Sequence, residues 1–270
     1  METDLTAPPA FDSIDWQAPW LADWRASAAA LTGADWRAAL NARAAEENLI
    51  NARGLPLRFV AQQALPEGEA YEAYIGETGG VPTRDNLHDF FNALIWLSYP
   101  NIKRSLNAIQ ARELAAGGVG QTRGKLRDMA TVFDENAALF ACADLAAAEA
   151  LRAHDWQCLF LDWRNAFGTV CEVFPFGHAL LEKLTVPFKA ITAHAWVVDV
   201  DAAFFQLPRM EQRNVLDVIV AHQLATGLQE TGFTPLPVLG VPGWAEGQDA
   251  GYYRDKSVFR PKRNKPNTEC

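Results

Sequence analysis

The sequence predicts a single α+β domain over residues 1–270, with paired helices packed on a small antiparallel sheet and a long Pro- and Gly-rich C-terminal wrap. Three observations lead there. Helix-period and strand-period segments are mixed without the steady rhythm of a doubly wound sheet. Hydrophobic residues make up 49% of the chain and charged residues 21%, which suits a folded domain and not a disordered one. No internal repeat or low-complexity linker divides the chain into smaller units.

The elements follow in order. Residues 1–20 form an irregular arm that Trp16, Trp20 and Trp24 can dock. Residues 21–47 read as two short helices, broken at Thr32-Gly33-Ala34-Asp35. Residues 56–63 and 70–75 have strand character, and Pro66-Glu67-Gly68 between them suits a hairpin. A loop carrying Gly79-Gly80 follows.

The clearest helix runs from Leu87 to Tyr99. Asp85 or Asn86 caps it, and Leu87, Phe90, Phe91 and Leu94 recur at i, i+3, i+4, i+7 as its core face. Pro100 ends it. A second helix, Ile102 to Ala116, turns Ile102, Leu106 and Ile109 inward and stops at Gly117-Gly118. Lys125–Phe133 is helix or turn, Ala137–Cys142 a buried strand, and Leu145–Ala153 helix. The period leaves Trp156–Leu161 open. Pro175–Leu184 reads as helix, Ala190–Val198 as strand and Glu211–Gly227 as amphipathic helix.

Charge and cysteine usage narrow the function classes. The net charge is -9, so the chain lacks the bulk attraction for phosphate backbones that drives non-specific nucleic-acid binding. The basic run Arg254, Lys256, Arg260, Lys262, Arg263 and Lys265 reads as a solvated tail over residues 254–270. The four cysteines include no C-x-x-C pair, which leaves a zinc ribbon or thioredoxin motif unsupported. The acidic start has no basic and apolar leader, and no apolar run reaches membrane length. The expectation is a cytoplasmic protein with no membrane partner.

Several polar groups carry possible chemistry. His88 and Asn92 share one side of the first paired helix, with Asp89 and Trp96 nearby. Imidazole beside carboxylate supplies metal ligands or an acid–base pair. The plainer explanation is a helix start whose Asp89 favours the positive dipole end. Lys103, Asn107 and Gln110 line one side of the next helix, where they suit either a polar ligand or solvent. Asp134-Glu135-Asn136 is a dense oxygen cluster that suits magnesium, manganese or calcium, or else a capped turn in which Arg123 or Arg127 pairs an acid.

His178 and Glu182 stand four apart on one helix face. That is the spacing of a two-ligand metal grip, and equally of a simple helical pair. His194 shares a strand face with Thr192 and Trp196 and offers a third imidazole. Nucleotide-loop, nucleophile-elbow and dinucleotide motifs are absent from the sequence.

Three stretches go further together. They are Asn86-Leu87-His88-Asp89-Phe90-Phe91-Asn92-Ala93-Leu94-Ile95-Trp96 with Pro100, Lys103 and Leu106-Asn107; Leu126-Arg127-Asp128 with Thr131 and Phe133-Asp134-Glu135-Asn136; and Pro237-Val238-Leu239-Gly240-Val241-Pro242-Gly243-Trp244 with Tyr252-Tyr253 and Val258-Phe259-Arg260-Pro261. This combination resembles the proteobacterial domain-of-unknown-function 3025 family. The resemblance implies no catalytic residues.

The residues themselves support a metal-assisted hydrolase as the first expectation. His88, Asp89, Asp134 and Glu135 would be catalytic, and Asn92, Trp96, Lys103, Asn107 and Arg127 would hold substrate. His88, Asp134, His178 and His194 would ligate a divalent metal ion. The alternative is a non-catalytic domain for a small-molecule or peptide ligand, in which Tyr253 and Arg260 fill the space beside His88. A third possibility is a His-Asn-His-like nuclease, echoed by Gly79-Gly80, Asp85-Asn86-Leu87-His88 and Lys103. That motif needs an earlier histidine, and none precedes His88.

Overall fold

An all-apolar strand organises the core. Ala137–Cys142 (β3) is buried at every position, because its six residues face packed neighbours on both sides. In this computed structural model, which describes residues 11–26, 28–33, 35–117, 124–227 and 232–262, β3 lies inside a four-stranded sheet. Its neighbours are β4 (Cys171–Pro175) and β5 (Thr192–Asp199), and β6 (Thr234–Pro237) adds to β5. The β3–β4 and β5–β6 pairs are antiparallel, whereas β3 and β5 run parallel. The architecture is α+β as expected, but the sheet is mixed. A parallel pair needs a long crossover, and the chain between β3 and β5 is long enough to supply one.

The helices precede and flank this sheet. Ala28–Leu31 (α1) and Trp36–Glu46 (α2) are the two short helices expected on either side of Gly33. Ahead of them, Trp20 and Trp24 are buried and Trp16 meets Phe90 edge-on, so the arm docks through its indoles. Residues 1–10 and 263–270, which include Arg263 and Lys265, lie outside the described residues, as does Gly118–Gly120.

The expected hairpin is not formed. Arg58–Ala61 (β1) is a strand, but Tyr71–Thr78 (α3) is a helix and Gly80–Thr83 (β2) is the second strand. β1 and β2 pair in parallel through α3. The alternation of Tyr71, Ala73 and Ile75 imitates a strand. Helix wins because Ile75 can bury on one face and Gly79, at φ 73°, closes the C-terminus in the left-handed conformation.

Leu87–Ser98 (α4) matches its prediction. The Asn86 side chain accepts from the Asp89 amide, and Phe90, Phe91 and Leu94 are buried. Pro100 both stops α4 and begins Pro100–Gly117 (α5), since proline fits a first helical turn. Ile102, Leu106 and Ile109 point inward as expected. Lys125–Asn136 (α6) is helical to its end, which places Asp134 and Glu135 in a last helical turn and not in a loop. Leu145–Ala153 (α7), Arg209–Gly227 (α9) and Ala250–Tyr253 (α10) complete the helices beside the short α8, His178–Lys183. Pro175 ends β4 and does not start α8, so the segment read as one helix is a strand, a corner and a helix. The open segment Trp156–Leu161 contains the start of a short π-type turn over Cys158–Asp162. No helix is long and apolar enough to cross a membrane, among the described residues.

Candidate metal centre

The site begins at a glycine. Gly177 precedes α8, and a Cβ there would lie 2.4 Å from the Glu135 carbonyl oxygen and 2.5 Å from the Asn136 nitrogen. Only a residue without Cβ lets the β4–α8 corner rest directly on the α6–β3 junction. The Gly177 amide donates to the Ala137 carbonyl at 2.8 Å and fixes that contact. The next residue, His178, is thereby set against Asp134 and Glu135. Packing of α8 against α4 brings in His88.

Three donor atoms converge. His88 Nε2 and His178 Nε2 are 3.1 Å apart, and His178 Nε2 is 3.5 Å from Glu135 Oε2. Ligand atoms of His88, Glu135 and His178 all lie within 4.8 Å of one another. Bonds of about 2.0–2.1 Å to a tetrahedral ion put neighbouring donors about 3.3–3.4 Å apart. The two short distances bracket that value.

The protons on the two rings are set by their other nitrogens. His88 Nδ1 lies 2.9 Å from Glu182 Oε2, an acceptor, so Nδ1 carries a proton and Nε2 is the nitrogen turned toward His178. His178 Nδ1 is buried beside Asp134, whose backbone interacts with the ring and whose carboxylate is 4.0 Å away. That acceptor favours the proton on Nδ1 and leaves the His178 Nε2 bare. Burial depresses the His178 pKa to about 4, which keeps the ring neutral near pH 7. Two imidazole nitrogens and a carboxylate oxygen therefore face one point, a donor set that suits a cation.

Around this point lies a buried polar chain. Lys103 donates to Asp134 Oδ1 at 2.6 Å and to Asn92 Oδ1 at 2.8 Å, and sits over the Trp96 ring at 5.3 Å. Asn92 in turn donates to the Tyr71 hydroxyl at 3.0 Å. Burial acts to raise the Asp134 pKa, but the charge and hydrogen bond of Lys103 oppose it and the carboxyl is held below its ordinary value. The Glu135 and Glu72 carboxyls are both pushed up, first by burial and then by the nearby Asp134 charge. Glu72 accepts from Asn107 Nδ2 at 2.6 Å.

Of the expected site residues, His88, His178, Asp134 and Glu135 come together. Asn92, Trp96 and Lys103 lie directly beside them, and Asn107 lies beyond, on Glu72. Lys103, Asn107 and Gln110 are all buried, which removes solvent exposure as their explanation. Lys103, not Arg127, pairs Asp134, and Arg123 lies outside the described residues. Arg127 is half-buried, its charge acts on Glu72, and its Nε has no partner among the described residues. Asp89 faces away from the donors, with both oxygens engaged by the Arg84 guanidinium at 2.9 and 3.0 Å. His194 stands apart from the triad, facing the Asn136 amide at 3.0 Å and the Phe233 ring edge-on. The helical pair His178–Glu182 is not made; both residues turn to His88.

Sequence reasoning passed over Tyr71 and Glu72, because a strand assignment scattered them. It also missed Glu182 as a partner of His88. The Gly177-His178 doublet is the signal that could have located the site.

One premise of each alternative is not met. Tyr253 stacks on Phe160 and donates to the Gly240 carbonyl, while the Arg260 carbonyl accepts from Trp156, so neither fills the space beside His88. The parallel β1–β2 pair is also not the hairpin that the nuclease echo requires ahead of α4.

No curated protein and no solved structure matches the chain. A family model described as "Protein of unknown function (DUF3025)" matches residues 57–263, a span that contains every residue of this centre. The chain belongs to the DUF3025 family.

Proposed function

We propose that the protein is a metal-dependent hydrolase whose divalent ion is held by His88, His178 and Glu135. The observation that carries this reading is the 3.1 Å approach of two imidazole Nε2 atoms beside a carboxylate, with ligand atoms of all three residues within 4.8 Å of one another. Two histidines and one glutamate are a donor set that leaves a coordination position for water. A bound ion would lower the pKa of that water and polarise a substrate oxygen. Glu182 would act from behind His88, since a carboxylate on the far nitrogen orients a ligating imidazole and raises its basicity. The half-exposed side chains of His88, Glu135 and Glu182, at 30%, 40% and 42%, leave the ion's outer side open to solvent and substrate.

The test is metal content of protein purified without an affinity tag. About one divalent ion per chain is expected. Its loss in both His88→Ala and His178→Ala, with the fold retained by circular dichroism, supports the assignment. A wild-type chain that takes up no zinc, manganese or cobalt in equilibrium dialysis would sink it.

A further inference from the structure

We infer that Cys142 and Cys171 are the site of an intramolecular disulfide that bolts the edge strand β4 to β3. The inference does not depend on the metal reading. The two residues stand directly opposite each other in the antiparallel β3–β4 pair, Cys142 ending β3 and Cys171 beginning β4. Both are free thiols. The ladder sets their spacing. The Ala143 amide donates to the Val170 carbonyl at 2.9 Å, and the Phe176 amide to the Ala137 carbonyl at 3.1 Å. The step beyond the cysteines is thus a hydrogen-bonded pair, which makes Cys142–Cys171 a non-hydrogen-bonded one. Their carbonyls agree: that of Cys142 accepts from the Val200 amide, and that of Cys171 from the Gly168 amide. At such a pair the Cα atoms stand about 4.5 Å apart with both side chains on one face. A disulfide spans about 4.4–6.8 Å between Cα atoms, so the backbone already holds the spacing that the bond requires.

Packing sets the pace of the chemistry. Both residues are buried, and burial pushes the Cys142 thiol up to about 11 and the Cys171 thiol up to about 12. Thiols attack as thiolates, so the pair resists oxidants while the sheet is closed. β4 has a strand neighbour on one side only, and its local opening is the route of access. The oxidant is a small-molecule disulfide such as glutathione disulfide. One cysteine thiolate attacks it, forms a mixed disulfide and releases one glutathione. The second cysteine thiolate attacks the mixed disulfide, closes the Cys142–Cys171 bond and releases the other glutathione. Two cysteine thiols are oxidised, one external disulfide is reduced, and the two protons end on the released glutathiones. Position gives the bond its consequence. Glu135 lies just ahead of β3 and Gly177-His178 just beyond β4, so the strands bolted at one end carry the α8 corner at the other.

The test exposes the folded full-length chain to glutathione disulfide, in the double variant Cys158→Ala, Cys270→Ala that keeps only this pair. Both thiols should be lost over hours, with no glutathione retained and a linked Cys142–Cys171 peptide found by mass spectrometry. The oxidised protein should melt roughly 5–10 °C above the same sample after reduction, because a cross-link that fits the native sheet restricts the unfolded chain. Four outcomes overturn the inference: thiols that survive, a product that stops at the glutathione adduct, a bond that forms only in denaturant, and a cross-link that lowers the melting temperature. If the double variant does not fold, peptide mapping of the oxidised wild-type chain decides. A Cys142–Cys171 link supports the inference there, and linkage of either residue to Cys158 or Cys270 overturns it.

Discussion

Two buried polar nests in this protein are built on opposite principles. In the C-terminal segment, Gln248 donates to the Leu239 and Val241 carbonyls at 2.7 and 2.8 Å and accepts from the Gly243 amide at 2.8 Å. Tyr252 and Tyr253 close the Leu239 and Gly240 carbonyls, and Phe160 and Phe259 pack around them. Every one of these groups is answered by the chain itself. The His88–His178 nest is different: two imidazole Nε2 atoms face each other at 3.1 Å beside the Glu135 carboxylate, and the side chains of His88 and Glu135 are open to solvent. Buried polar groups are normally satisfied, so the closed nest reads as architecture and the open one as a place for something external.

Four substitutions break or sharpen that contrast. The largest effect is expected at Gly177→Ala, whose Cβ meets backbone that cannot yield. It should cost about 3 kcal/mol in urea denaturation and also abolish metal uptake, because it parts His178 from Glu135. A loss under about 1 kcal/mol would show that the corner is not tight. Next, Gln248→Ala should cost about 2 kcal/mol, since it strands buried carbonyls, yet leave metal affinity unchanged. Weaker metal binding in that variant would dissolve the distinction between the nests. Glu182→Gln should weaken metal binding about tenfold with little change in melting temperature. Equal affinity would remove Glu182 from the centre. Smallest in stability is His178→Leu, which replaces a buried imidazole by an apolar side chain of similar size. The metal-free protein should keep its stability within about 1 kcal/mol while metal binding disappears. A large destabilisation would make His178 an ordinary core residue.

Local pattern carried much of the fold. The i, i+3, i+4, i+7 repeat of Leu87, Phe90, Phe91 and Leu94 needed only the helical period to be read, and Asn86 needed only its side-chain oxygen. The apolar run Ala137–Cys142 announced a buried strand in the same way. Where two periods competed, the pattern misled: Tyr71–Ile75 alternates like a strand but lies in a helix that buries Ile75 against the core. The site was legible as a set of residue types. His88, Asp134, Glu135 and His178 stood out because imidazoles and acids are costly to bury without purpose.

The sequence by itself determined the helical period of α4 and α5 and the burial of β3, and it narrowed the α4 cap to Asp85 or Asn86 and the polar set to a few imidazoles and acids. Only tertiary structure decided that β3 and β5 run parallel, that Lys103 is buried on Asp134, and that Glu182 serves His88 and not its helical neighbour His178. The physical reason is range. Period and capping are settled within a turn or two of chain, whereas desolvation and the choice of partner depend on which distant segment packs there. The 90-residue separation of His88 and His178 leaves no trace in local spacing.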